Sequence, residues 1–463
     1  MDHANTPTTK DMKRRIRPLA LALLCFITAP AAAESSAPVP DTWTPENAVR
    51  YALAHNPDTA ITRQRIAAAE AVVQQAYAAF YPRLDLNASY QQTNNPMYSF
   101  GNILNQGVFN DTIDFNDPGT SDNLSVNATV SYRLYNGGRD QAGLEAAEAG
   151  KISSLFAMDV VRSQLGFAVI KTFFTIVQAE ETVQARQSAV DSIASSVLVA
   201  RARYEAGDLL KADLLNLEVH QSEADENLIQ ARHTLDLTKR AFLNLLGLEQ
   251  GTVTIAPDCE TEQLIPADLS FSQRPELKRV EAIIQSADAE VQRAYGGYYP
   301  TADAFAGYQV DQGYEFDGSG NSWLAGIKVS YNLFAGRETE AQVTAAMANL
   351  AEQQEHQRKL SLAIHLEVEK ARLAVEQAQQ RLLVTKKMVE QAEESASLNR
   401  NRFKEGLLLS SELIDVENRL TDAKVRRTLA RAANRIAVAD LRRAVGLEQF
   451  DTAVQAGSNE PGA

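Results

Sequence analysis

Six histidines and two cysteines are the residues of this 463-residue chain best suited to hold a metal or carry a nucleophile. Their spacing supports neither use. Past residue 33 the histidines are His55, His220, His233, His356 and His365, and no two stand three or four apart, as two ligands on one helix face would. Cys259 is alone there, so it completes no ligand set and forms no disulfide within the chain. No serine occupies a Gly-x-Ser-x-Gly context and no glycine-rich phosphate loop occurs. The carboxylate doublets Glu180-Glu181 and Glu393-Glu394 read as solvated helix faces. The expectation is a protein that is not an enzyme, with no cofactor and no metal centre. With 59 acidic residues against 45 basic ones, a formal balance of −14, the chain is no nucleic-acid binder, because phosphate affinity needs a gathered basic face. The same density of charge excludes a polytopic helical membrane protein.

The first 33 residues combine Lys13, Arg14, Arg15 and Arg17, an apolar run from Leu19 to Ile27 and Ala31-Ala32-Ala33, which is the pattern of a secretory signal peptide cut before Glu34. Met12 offers a second, more compact start to that leader. Leu24 is too large to precede a lipidated Cys25, so no lipid anchor is expected. Removing the leader takes away five basic and two acidic residues and leaves 430 residues at −17, an exported acidic chain.

The remainder repeats itself. Ala76-Tyr77-Ala78-Ala79-Phe80-Tyr81-Pro82 matches Ala294-Tyr295-Gly296-Gly297-Tyr298-Tyr299-Pro300. Further on Arg203-Tyr204 matches Arg402-Phe403, and Gly247-Leu248-Glu249 matches Gly446-Leu447-Glu448. No proline falls between Pro118 and Pro257 or between Pro300 and Pro461, so long helices are permitted. Val169, Ile176, Val183, Val190, Val197 and Tyr204 stand seven apart, as do Val368, Val375, Leu382, Val389, Ala396 and Phe403. That is a coiled-coil seam, with Ala179, Ala200, Ala371, Ala378 and Ala392 letting neighbouring helices approach. Each long helix ends at a Gly break, at Gly207 and at Gly406, and a second heptad stretch returns antiparallel to it.

Four segments instead alternate apolar and polar residues with period two: Leu84 to Gln91, Leu124 to Leu134, Ala302 to Gln309 and Trp323 to Leu333. Such strands suit an outer-membrane barrel with its polar side inward. Stretches at about 92–122 and 312–321, rich in Asn and Gly, read as exposed loops. The predicted organisation is a signal peptide over 1–33, a first repeat over 34–250, a connector over 251–268, a second repeat over 269–449 and a tail over 450–463. The first repeat holds strands at about 82–92 and 123–136 and helices at about 139–204 and 211–246; the second holds strands at about 300–311 and 322–335 and helices at about 338–403 and 410–445. Four strands cannot close a barrel alone, and an open sheet edge in hydrocarbon leaves backbone groups unsatisfied, so the chain must oligomerise if the strands are in lipid.

The leader, the duplicated Tyr-Pro strand entry, the two strand pairs, the paired long helices and the tips Arg203-Tyr204-Glu205-Ala206-Gly207 and Arg402-Phe403-Lys404-Glu405-Gly406 resemble the TolC-like outer membrane efflux proteins. The resemblance implies a mainly α fold with membrane β: a homotrimer forming a 12-strand barrel in the outer membrane lipid, continued by a 12-helix antiparallel coiled-coil tunnel in the periplasm. It implies partners too, a periplasmic adaptor and an inner-membrane transporter. Arg203, Gly207, Arg402 and Gly406 then fall at the adaptor-docking tips. Asp213, Glu412 and Asp415 fall where the family narrows its periplasmic gate, and threefold repetition of Glu412 and Asp415 would give a cation-favouring ring. A basic residue expected two places after the second Gly is Leu408 here, and an expected Tyr is Phe403. The function implied is passive conduction to the exterior within a tripartite efflux system. An exit duct for type I protein secretion and a purely structural periplasmic coiled coil are the alternatives.

Overall fold

The computed structural model describes residues 39–256 and 264–450. The leader, Cys259 and all but the first residue of the expected tail lie outside the described residues. Val39 to Asp41 belong to a separate N-terminal unit, and from Thr42 onward the chain is one compact unit.

Prolines begin the short helices of both repeats. α1 (Pro45–His55) is held by a reciprocal capping box between Thr44 and Asn47, α2 (Pro57–Tyr77) by the Asn56 side chain, and the counterpart helix of the second repeat also opens on a proline, Pro275. A proline in the first turn costs nothing, since that N–H has no partner within the helix. β1 (Arg83–Thr93) follows, then α3 (Pro96–Asn105), β2 (Ser121–Tyr135), α4 (Arg139–Glu205) and α5 (Lys211–Leu246). The second repeat supplies α6 (Pro275–Tyr295), β3 (Thr301–Gln312), β4 (Ser319–Ser330), α7 (Glu338–Lys404) and α8 (Ser410–Val445). α4 and α7 are both 67 residues long, about 100 Å at 1.5 Å per residue, and both return through helices of 36 residues.

The strands form one antiparallel sheet in the order β1-β2-β3-β4, so the pair that joins the two repeats is β2 with β3. Gly137 and Gly138, both at positive φ, turn the chain from β2 into α4; a Cβ on Gly137 would collide with the Gly296 carbonyl. Along the body α4 packs first against α2 and α6, then against α5 and α8. The heptad rows are packing. Val169, Ile176, Val197, Val368, Val375, Val389, Ala396 and Phe403 are buried, as are Leu214, Leu217, Leu413, Leu420, Ala423 and Ala430 on the returning helices. The largest cluster sits at mid-length, where Trp43, Tyr51, Phe173 and Phe242 meet edge to face, and a smaller one closes the tips around Leu217, Phe403 and Leu413.

Three expectations are corrected. The stretch at 92–122 is not wholly an exposed loop. It contains α3, capped by Asn95 and buried on the face of Ser99, Asn102 and Ile103, a spacing that its Asn and Gly content obscures. The fourth strand stops at Ser330 instead of continuing to 335, because its partner β3 begins at Thr301, after Pro300, which has no N–H to extend the ladder. Glu180, Glu181 and Glu393 are interhelical ties and not merely solvated acids: Glu180 pairs with Lys239 of α5 at 2.9 Å, Glu181 with Arg431 of α8 at 2.6 Å and Glu393 with Lys424 at 3.3 Å.

Candidate functional site

The register decides which residues share a face of the sheet. Leu84 lies opposite Val130, which lies opposite Ala306, which lies opposite Ala325; one row on, Leu86, Ala128, Tyr308 and Trp323 align. This face is apolar and largely bare, with Leu86 73 % and Trp323 77 % exposed. Exposed rings stand on it: Tyr90 of β1, Tyr132 of β2, Tyr308 of β3 and Trp323 of β4. β1 runs eleven residues, about 36 Å of strand, or about 28 Å of height at a tilt near 40°, enough to cross the apolar band of an outer-membrane barrel.

The opposite face carries Asp85, Asn87, Ser89, Asn127, Thr129, Ser131, Gln309 and Asp311. Phe305 and Leu324 are its apolar exceptions, and Phe305 covers Gly326, filling the space that the glycine leaves. Arg133 reaches both Asp303 and Asp140 at 3.4 Å, so the polar face runs on from the sheet into the first turn of α4. Beyond it a concave wall of about 1400 Å³ continues between α2, α4, α6 and α7, lined by Ala146, Gly150, Lys151, Glu290 and Arg293 among others. β1 and β4 each have one unpaired edge.

At the far end two tips meet. Gly207 and Gly406, at φ +85° and +79°, end α4 and α7. Asp208 N–H donates to the Arg203 carbonyl at 2.8 Å, and Leu407 N–H to the Arg402 carbonyl at 2.9 Å. The side chains break this symmetry. Arg203 crosses from the first tip to the second, donating to the Phe403 carbonyl at 3.1 Å and standing over the Phe403 ring at 5.5 Å, while its other nitrogen donates to the Asp208 carbonyl at 3.2 Å. Arg402 is exposed, and among the described residues no such bridge forms from it. Ser410 donates to Asp213 at 2.7 Å, a second tie between the tips. Leu408, where the resemblance expects a base, packs into the tip cluster. Glu412 is exposed in the first turn of α8, and Asp415 pairs with Arg419 at 2.6 Å on the same helix.

Two charged clusters lie outside the residues singled out from the sequence. Glu417, 6 % exposed, accepts from Arg400 Nε and Nη2 at 2.5 and 2.7 Å and from the Ser192 hydroxyl at 3.0 Å, so that α4, α7 and α8 meet on one carboxylate. The hydrogen bond and charge of Glu417 raise the Arg400 pKa above its ordinary value, against desolvation. The sequence signal was a carboxylate in the Leu413–Leu420 core row. At mid-length Arg274, 4 % exposed, binds Glu276 and Glu367 and donates to the Ala444 carbonyl at 3.1 Å; Glu367 also takes Arg443 at 2.7 Å. Burial raises the Glu367 carboxyl, but the hydrogen bonds and charges of Arg274 and Arg443 outweigh it and leave its pKa below the ordinary value.

Residues 48–248 and 267–447 match the family described as outer membrane efflux protein, one match for each repeat and together most of the chain. This chain belongs to that family. Outer membrane efflux proteins are channels and not enzymes, and this one resides in the outer membrane with most of its length in the periplasm. Among curated relatives, the chain is 23 % identical over 308 residues to the cobalt-zinc-cadmium resistance protein CzcC of Cupriavidus metallidurans, 65 % of this chain and 72 % of that one. It is 23 % identical over 335 residues to the fusaric acid resistance protein FusA of Burkholderia cepacia, 67 % of this chain but only 58 % of that one. Among solved structures, the Campylobacter jejuni CmeC outer membrane channel superposes with a TM-score of 0.76 at 15 % identity over 91 % of this chain and 94 % of that one. The fold is therefore that of the trimeric outer membrane channels.

Proposed function

We propose that the trimer is the passive exit duct of a tripartite efflux system, receiving substrates from a periplasmic adaptor and an inner-membrane transporter. The observation that carries this reading is the mostly polar face of the sheet, which Arg133 joins through Asp140 to the first turn of α4, a helix about 100 Å long. Nothing along that wall converts a substrate, so direction and energy must come from a partner. The relatives' descriptions, resistance to divalent metals in one and to fusaric acid in another, support export of small toxic solutes. They also support a duct whose partner chooses the cargo. Docking falls to the tips, where Gly207, Gly406 and the unbridged Arg402 are exposed, while Arg203 holds the two tips in register. Glu412 and Asp415, three of each around the axis, together with Asp213, make the mouth of the tunnel cation-favouring. Planar-bilayer recordings of the purified trimer test this. The expected wild-type channel prefers cations, and Glu412→Gln with Asp415→Asn reduces that preference; an unchanged ion preference removes these acids from the gate.

A further inference from the structure

α3 lies on the polar face of the sheet, not on the lipid face. Its Asn102 amide donates to the Ser121 hydroxyl at 3.0 Å, and Gln106 donates to Asn123 Oδ1 at 3.1 Å. Asn123 in turn donates to Asp311 at 2.7 Å. Asn123 stands opposite Gln91, and Asp311 opposite Ser125, both in the polar rows. The β3–β4 hairpin is shaped to receive the helix. A Cβ on Gly320 would collide with the Asn105 carbonyl, one on Gly318 with the Val108 side chain and one on Gly313 with the Gln106 side chain. Under this cover Ser121, Asn123 and Asp311 are at most 3 % exposed, although they lie at the outer rim of a water-facing wall. Away from the sheet the segment turns apolar residues outward: Met97 is 81 % exposed, Tyr98 64 %, Leu104 51 % and Phe115 66 %.

Size decides what this does in the assembly. Twelve strands about 4.8 Å apart and tilted near 40° close a cylinder about 24 Å across between backbones. A helix with its side chains is about 10 Å thick. Three copies of α3 resting on the inner wall therefore occupy most of that section. We propose that α3, with its two symmetry copies, forms an apolar constriction at the outer mouth of the barrel, built from Met97, Tyr98 and Leu104 of each chain. It limits the exit to small solutes and bars an extended polypeptide. An apolar ring also sheds water when it narrows, so it opposes ion leak when no cargo is passing. This rests on the duct reading above and sharpens its substrate class. The occupant of the apolar side is the second and third copy of this chain, which the unpaired edges of β1 and β4 already bring around one axis.

The test places a reporter inside the barrel. Ser131→Cys, in a Cys259→Ser background, lies on the polar face opposite Arg83 and Phe305, eight residues inward from Asn123, about 27 Å along the strand. Intact cells are treated with a small maleimide or with a bulky polyethylene-glycol maleimide, and the heat-modifiable trimer is checked on gels. With the native segment the cysteine is expected to react with the small reagent only. Met97→Ser with Tyr98→Ser and Leu104→Ser, and separately replacement of 96–105 by a Gly-Ser linker, admit the bulky reagent. Bulky labelling with the native segment, or none in either variant, overturns the constriction while leaving the duct intact. Loss of even small-reagent labelling overturns the water-filled duct and the constriction together.

Discussion

The two repeats solve the same joint differently. Asn56 and Arg274 occupy equivalent places, each just before the proline that opens a helix, and each donates to the carbonyl two residues ahead of the glycine that ends the returning helix: Asn56 to Leu245 at 2.8 Å, Arg274 to Ala444 at 3.1 Å. Both glycines are needed, since a Cβ on Gly247 would stand 2.7 Å from the His55 carbonyl and one on Gly446 3.0 Å from Arg274 Cγ. In the first repeat the joint is neutral and sits beside the aromatic cluster of Trp43, Tyr51 and Phe242. In the second it is ionic, with Glu276, Glu367 and Arg443 around the guanidinium. Duplication preserved the backbone geometry and let the chemistry diverge, which teaches that the position of the joint is constrained more tightly than the means of holding it.

The ionic joint is the more vulnerable. Arg274→Ala strands Glu276 and the Ala444 carbonyl and leaves Glu367 with Arg443 alone, with an expected loss of about 3–5 kcal/mol. Asn56→Ala removes one cap and one neutral hydrogen bond and costs about 1–3 kcal/mol. Chemical unfolding of the detergent-solubilised protein measures both, and equal losses would abolish the distinction. The joints also differ in their response to acid. Glu367 titrates below its ordinary value in the folded protein, so its stabilising contribution is complete above the unfolded carboxylate pKa and is lost as pH falls through the lower folded one. Thermal midpoints followed from neutral pH into that acidic window are expected to fall less steeply in Glu367→Gln than in wild type, whereas Asn56→Ala keeps the wild-type slope. The smallest effects belong to the tips. Arg203→Ala frees the second tip and raises amide exchange around Phe403 to Gly406, while Arg402→Ala changes stability by no more than about 0.5 kcal/mol. Hydrogen exchange distinguishes them, and matching profiles would mean that Arg203 is no bridge.

Periodicity made the architecture legible. Seven-residue spacing over Val368 to Phe403 can only be a helix seam, and two-residue spacing over Leu84 to Gln91 only a two-faced strand, because each places its apolar residues on one side at that element's own repeat. The site was less legible. The sequence marked Arg203 and Arg402 as equivalents, yet one is a bridge and the other is exposed, because only the packing of one tip against the other sets which carbonyl each can reach.

Composition, the internal repeat and the absence of proline thus determined by themselves that the chain has long paired helices, a two-faced sheet too small to close and a need for further copies. These follow from local geometry and from the cost of unpaired backbone in lipid, and both are properties of the chain read in order. The tertiary structure alone decided that α3 folds against the polar wall, that Glu417 and Arg274 are buried ionic hubs, and that Glu180 and Glu181 tie neighbouring helices. Those outcomes depend on residues far apart in sequence meeting in space, where burial removes solvent as an alternative partner and leaves each charge or amide only the neighbours that the fold supplies.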